Sequence, residues 1–363
     1  MTGQQLRVLV VEDSLTVRRR LCDALTADPG ITVIGEADNG QRAIEMCQSL
    51  RPDVITLDMH LPIMSGLSAT EYIMAHCPTP ILIVSASTNR GELFKTYDAL
   101  AAGAVDVLEK PRGDDSDVGW DQRFTSAVRM VARIRVITHP RARLNPSGRS
   151  AASLTAPTWR ESITSTGDRP LRVLALGAST GGPSALVSVL RELPVDLGLS
   201  ILLVLHIDEP FGSAFAEWLS DQTPHAVSFA RGGEALESQG SRVLMAKPGR
   251  HLRVDGARLA LSDDAERHSC KPSIDVLFES LARSAGPRSA AALLTGMGRD
   301  GAAGLLELRQ AGGLTVAQDE ESSIVYGMPR EAALLGAATR VLPLTEIGKF
   351  LAENALARRR NTS

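Results

Sequence analysis

The sequence predicts an α/β chain built from two doubly wound, mainly parallel sheets. Two observations carry this: short apolar runs alternate with amphipathic stretches twice along the chain, and a Pro-, Ser- and Arg-rich stretch separates the two series. A third is length, since 363 residues exceed one ordinary core. The boundaries that follow are 5–137 for the first unit, 138–169 for a linker and 170–357 for the second unit.

In the first unit the strand candidates are Val8 to Val11, Val33 to Gly35, Val54 to Leu57, Ile81 to Val84 and Val105 to Leu108. Apart from Thr56 and Asp106 they are apolar on both faces, as strands covered by helices on either side must be. From His139 to Pro170, Arg141, Arg143, Arg149, Arg160 and Arg169 stand among Pro, Ser, Thr and Ala with no apolar period. Such a coil spans roughly 30 Å, enough for the two units to dock on one another. The second alternation runs through Leu171 to Leu176, Ser200 to Leu205, Ala290 to Leu294 and Leu314 to Ala317. Ser228 to Leu261, with Pro248-Gly249 and Asp255-Gly256, reads as an inserted strand and hairpin.

Composition narrows the function classes. With 39 basic and 42 acidic residues the net charge is -3, and no compact helix-turn-helix carries a clustered basic face, so a nucleic-acid partner is not expected. The four cysteines, Cys22, Cys47, Cys77 and Cys270, lack the close spacing of a zinc or redox motif, which fits a reducing compartment. The longest apolar stretch, Leu197 to Ile207, is too short to span a bilayer and is broken by Gly198 and Ser200. The first residues, Met1 to Gln5, lack a signal pattern, so a cytoplasmic protein without membrane insertion is expected.

Ligands of an open parallel sheet collect at the carboxyl ends of its strands. Glu12 and Asp13 end the first strand and Asp58 the third, so three carboxylates can converge on one divalent cation, for which oxygen ligands favour Mg²⁺. Ser85 ends the fourth strand and Lys110 the fifth, where a hydroxyl and an ammonium can meet phosphoryl oxygens while Asp58 acts as nucleophile. Any one of these could be a helix cap; all of them at strand ends in order point to a site. With Asp58-Met59-His60-Leu61-Pro62-Ile63-Met64-Ser65-Gly66, they resemble the receiver domain of response regulators, a flavodoxin-like fold. The resemblance implies that Asp58 is the phosphoacceptor, Glu12, Asp13 and Asp58 hold the metal, and Ser85 and Lys110 form the phosphate switch. Val107 stands where such domains commonly carry an aromatic, so signalling through helix repositioning is expected more than a ring flip.

In the second unit Gly177-Ala178-Ser179-Thr180-Gly181-Gly182 follows an apolar strand and precedes a helix near Pro183. The glycines permit a sharp turn that holds Ser179 at a helix's positive end. A serine nucleophile needs a base and an orienter. His206 ends the next strand, and Asp300 lies in a second glycine-rich turn, Leu294 to Gly301, whose Met297 amide is a candidate oxyanion donor. Three other readings fit the same residues. Gly177-x-Ser179-x-Gly181 matches an α/β-hydrolase elbow, although that fold places its acid before its histidine. Gly177, Gly182 and Asp208 match part of a dinucleotide fingerprint, although Ser179 replaces its middle glycine. The glycines could also serve packing alone.

The second half further contains VLMAKPGRHL (Val243 to Leu252), CKPSIDVLF (Cys270 to Phe278), LTGMGRDGAAG (Leu294 to Gly304) and DEESSIVYGMPRE (Asp319 to Glu331). With Gly177 to Gly182 and His206, these resemble the catalytic domain of the chemotaxis protein-glutamate methylesterase family, CheB; with the receiver, the resemblance spans about residues 5 to 350. It implies a Rossmann-like methylesterase domain with Ser179 as nucleophile, His206 as general base and acid, and Asp300 as orienter. It also implies hydrolysis of glutamate methyl esters on the cytoplasmic part of a chemoreceptor, deamidation of receptor glutamines, a CheA-like histidine kinase as partner, Mg²⁺ in the receiver and no cofactor for the esterase. A non-enzymatic phosphorylation-regulated adaptor is the alternative. The chain departs from the family after the histidine, where His206-Ile207-Asp208-Glu209-Pro210-Phe211 replaces the Met-Pro-Pro-Gly run that relatives often have. Those two acids are expected to raise the pKa of His206 if they approach it.

Overall fold

A computed structural model describes residues 5–86, 90–111, 119–134, 136, 170–207, 209–236 and 242–360. The expected linker, 138–169, and Asp208 lie outside the described residues. The first unit alternates β1 (Leu6–Val11), α1 (Leu15–Thr26), β2 (Ile31–Ala37), α2 (Gly40–Leu50), β3 (Val54–Leu57), α3 (Gly66–His76), β4 (Ile81–Ser85), α4 (Arg90–Ala101), β5 (Asp106–Glu109) and α5 (Trp120–Val131). Local chemistry sets the helix starts: the Ser14, Asn39 and Ser65 side chains accept the amides of Val17, Arg42 and Ser68. The strands pair in parallel in the order β2-β1-β3-β4-β5, so β1 lies at the point where strand order reverses. Buried Leu9, Ile55, Leu57 and Ile83 pack on one face, and Val8, Val10, Leu82 and Val84 on the other.

The second unit contains β6 (Val173–Ala178), α6 (Gly182–Arg191), β7 (Ser200–Leu205), α7 (Glu209–Gln222), β8 (Ala226–Phe229), β9 (Arg242–Met245), β10 (His251–Asp255) and β11 (Arg258–Ser262). It continues with α8 (Ile274–Ser284), β12 (Ser289–Leu293), α9 (Ala302–Gln310), β13 (Leu314–Gln318), α10 (Met328–Leu334), β14 (Arg340–Leu342) and α11 (Leu344–Arg360). Seven strands form a parallel sheet in the order β14-β13-β12-β6-β7-β9-β8. The inserted strand and hairpin are thereby corrected: β8 and β9 extend the main sheet, and only β10 and β11 form a separate antiparallel hairpin. β14 escaped the sequence reading because Arg340-Val341-Leu342 is too short to show a period.

Here β6 has β7 on one side and β12 on the other, so chain leaving three adjacent strands converges at one edge. The two units also pack together. Tyr97 of α4 is fully buried, its hydroxyl donates to the Phe211 carbonyl, and its ring meets Phe215 edge-on at 5.2 Å. Trp218 Nε1 donates to Asp98 at 2.9 Å, and Arg90 pairs with Glu217 at 2.6 Å.

Candidate functional site

At the carboxyl edge of the first sheet Glu12 and Asp58 are buried and Asp13 is exposed, with carboxylate oxygens of all three within 4.8 Å of one another. Lys110 reaches in from the end of β5, its Nζ 2.7 Å from Glu12 and 2.9 Å from Asp58. Burial and the charge of Asp58 push Glu12 up to about 7, against the hydrogen bond and charge of Lys110. Burial also raises Asp58, against the same ammonium, while Lys110 is raised because Asp58 and Glu12 outweigh its own desolvation. Glu12 Oε2 faces the Lys110 ammonium at 2.7 Å, and Oε1 accepts the Ser14 amide at 3.2 Å. Three carboxylates this close, two of them buried and sharing one ammonium, form an oxygen-donor set that fits a hard divalent cation. Ser85 is buried at the end of β4, and its carbonyl accepts the Lys110 amide at 3.0 Å. The sequence-predicted residues of this pocket therefore come together.

The second site forms where β6, β7 and β12 end. Ser179 leaves β6 in a turn completed by Gly181 at φ 77°, which opens α6. The Ser179 amide donates to the Thr295 carbonyl at 3.0 Å and the Thr295 hydroxyl donates to the Thr180 carbonyl at 3.0 Å, tying the Ser179 turn to the one after β12. Gly296 is required at that contact, because a Cβ there would lie 2.7 Å from that of Ser179. No acceptor among the described residues takes the Met297 amide proton, which leaves it available to an oxyanion.

His206 follows β7, and its Nε2 lies 2.9 Å from Asp300 Oδ2. Asp300 is buried and receives three further hydrogen bonds: Ser273 Oγ at 2.7 Å, the Ile274 amide at 2.7 Å and the Asp275 amide at 3.1 Å. Burial would raise Asp300, but His206 and these donors hold it below the ordinary carboxylate range. Burial would likewise favour a neutral His206, yet hydrogen bonds to Asp300 and Cys270 and their charges push the ring up to about 9. The expectation that Asp208 and Glu209 raise His206 meets a different cause, since Glu209 is exposed in the first turn of α7.

One expected link is open. His206 Nδ1 faces Cys270 Sγ at 3.7 Å, and no hydrogen bond among the described residues joins the ring to Ser179 Oγ. Sequence reasoning found Ser179, His206, Asp300 and Met297, and it missed Ser273 and Cys270. The signal for Ser273 was present, a serine before the amphipathic run Ile274 to Ser284, but its facing Asp300 is a tertiary fact. The four cysteines, far apart in sequence, are not all far apart in space: Cys47 and Cys77 are free thiols with sulfurs 3.7 Å apart.

The first unit closes over this edge. Thr180, next to Ser179, donates its hydroxyl to Asp106 of β5 at 2.9 Å. A cavity of about 390 Å³ between the units is lined by Asp106, Val107, His206, Phe211, Cys270 and Pro272.

Ser179 at the same sheet edge as a half-buried histidine paired with a buried aspartate, in a chain whose other sheet gathers three carboxylates and a lysine at its edge, defines the class: a serine hydrolase joined to a receiver. Residues 174–351 match the model of the CheB methylesterase family, and residues 8–116 that of the response regulator receiver domain. The chain is 41% identical over 363 residues to the protein-glutamate methylesterase/protein-glutamine glutaminase of Nitrosospira multiformis, covering 98% of this chain and 99% of that protein. It is also 41% identical to a second such enzyme, of Anaeromyxobacter dehalogenans, covering 96% of each. The crystal structure of the Thermotoga maritima CheB methylesterase catalytic domain aligns with TM-score 0.49 and 28% identity over 51% of this chain and 98% of that one. The chain belongs to the CheB methylesterase family.

Proposed function

We propose that this chain is a cytoplasmic, phosphorylation-regulated protein-glutamate methylesterase acting on the cytoplasmic part of a chemoreceptor, with Ser179, His206 and Asp300 as its triad. The observation that carries the reading is the pairing of half-buried His206 with buried Asp300, at the sheet edge that also holds Ser179. Ser179 Oγ attacks the ester carbonyl carbon as His206 takes its proton, and the Met297 amide receives the developing oxyanion. Collapse expels methanol, protonated by His206; water then enters through the same base, and the acyl-enzyme yields glutamate. A receptor glutamine follows the same path with ammonia as leaving group. For the first step Nδ1 must leave Cys270 and meet Ser179, a tightening common when substrate arrives. Methanol release from a methyl-esterified receptor fragment tests the assignment, and its absence would favour a non-enzymatic adaptor.

The boundaries 5–137 and 170–357 delimit the receiver and the esterase in this reading. Asp58 accepts a phosphoryl group from a CheA-like histidine kinase, with Ser85 and Lys110 contacting its oxygens. Glu12, Asp13 and Asp58 would hold Mg²⁺, which supplies positive charge to the transferring phosphoryl group. Removing divalent cations with a chelator is expected to abolish stimulation by acetyl phosphate and leave basal methanol release unchanged. A fall in basal release would place a metal at the esterase site.

The pH profile provides a separate check. His206 must be neutral to accept the serine proton, and Asp300 and Cys270 favour its charged form, so kcat/KM should rise with pH through about 9. Asp300→Asn removes the main partner, and the limb should fall toward the ordinary histidine range. A limb near 6.5 in the unmodified enzyme would contradict the charge-stabilised imidazole.

A further inference from the structure

Asp300 lies at the start of α8, and the chain that makes that helix end has more order than a cap requires. Ser273 is fully buried and occupies the N-cap position, accepting the Val276 amide at 3.4 Å. Its hydroxyl has one proton, and the acceptor-only carboxylate of Asp300 takes it at 2.7 Å, the shorter contact. The Ser273 backbone is fixed in turn, because its amide donates to His251 Nδ1 at 3.1 Å. His251 is fully buried in β10, and its Nε2 lies 3.1 Å from the Ala265 carbonyl, so the ring is the neutral tautomer with the proton on Nε2.

These contacts divide Asp300 between two tasks. Oδ2 takes the Ile274 amide and His206, whereas Oδ1 takes Ser273 and the longer Asp275 amide. A carboxylate's last torsion is soft, so the bonds on Oδ1 and the Ile274 amide on Oδ2 together set the plane of the group and hence where Oδ2 meets His206. Without the Ser273 hydroxyl, only the 3.1 Å contact from Asp275 would hold Oδ1.

Resting on the triad reading above, we infer that Ser273 is a positioning residue of the hydrolase, acting through Asp300 to hold the His206 ring in the plane from which it serves Ser179. Its contribution is separable from capping. Glycine is nearly as good an N-cap as serine, with alanine worse, yet both delete the same hydroxyl.

The test compares the full chain with Ser273→Ala, Ser273→Gly and Ser179→Ala. It measures kcat and KM for methanol release from a methyl-esterified chemoreceptor fragment, together with thermal unfolding and the downfield proton resonance of the His206–Asp300 hydrogen bond. Both Ser273 variants should lose about tenfold in kcat, as when one hydrogen bond to a charged group is deleted, with KM within twofold. The downfield resonance should shift or vanish in both, while the glycine variant unfolds at the higher temperature of the two. Unchanged kcat, or a loss larger in alanine than in glycine and following stability, would make Ser273 a cap alone. Activity persisting in Ser179→Ala would instead overturn the triad. An inactive Ser179→Ala beside fully active Ser273 variants removes only the positioning role.

Discussion

Ser179→Ala should lower methanol release by about 10⁴- to 10⁶-fold, the scale on which serine hydrolases lose rate when the nucleophile is deleted. The fold should survive, because Ser179 Oγ makes no hydrogen bond among the described residues, and the turn depends on Gly181 and Gly296 instead. His206→Ala should cost a similar factor, since it removes the imidazole that Asp300 holds at this edge. Asp300→Asn should cost less, because an amide oxygen can still accept the Ser273 hydroxyl and the Asp275 amide, while its NH2 faces the Ile274 amide and the charge that favours the imidazolium is lost. The three losses should not add, as the residues act on one proton transfer. Single-turnover methanol release and an unfolding curve for each variant check this directly. Ser179→Ala retaining near-full activity would assign the chemistry elsewhere.

The parts of this site that were legible in the sequence are those set by strand ends. Glu12, Asp58, Ser85, Lys110, Ser179 and His206 each follow an apolar run whose length and burial are local properties, and parallel order then brings such ends together. Asp300 was legible through its glycine turn. Features made by side chains meeting across elements were not legible. The sequence shows Val107 without an aromatic, but not that Tyr97, from α4, supplies the buried ring at the junction of the units. Nothing local says that α8 points its amides at Asp300, or that Cys270 stands at the other nitrogen of His206. β8 and β9 read as an insertion because their four-residue runs do not reveal which sheet they join.

Removing the receiver should raise basal turnover of receptor ester about tenfold, the gain expected if the closed arrangement outnumbers the open one by that ratio. Contacts on the hydrolase side of the junction, Thr180, Phe211 and Trp218, belong to the segments that follow β6 and β7, so the receiver covers the edge where substrate must enter. The hydrolase retains a core of its own without the receiver, because the cluster around Val173, Leu202, Phe278 and Leu293 contains only residues of the second unit. Covalent linkage gives the receiver an effective concentration of order millimolar, so even a modest interface stays closed. Phosphorylation of Asp58 adds close to two negative charges where Lys110 now bridges Glu12 and Asp58. Lys110 ends the strand, β5, that begins at Asp106, so a shift of that lysine is transmitted along the same strand that holds Thr180. In the full chain, Asp106→Ala should therefore raise basal activity, and Asp58→Asn should abolish stimulation by acetyl phosphate while leaving basal activity intact. The measurements are methanol release by residues 170–363, by the full chain and by both variants, each with and without acetyl phosphate. If residues 170–363 are no faster than the full chain while acetyl phosphate still accelerates the latter, the receiver acts positively, by orienting the hydrolase or recruiting the receptor, and the closed junction is not the brake.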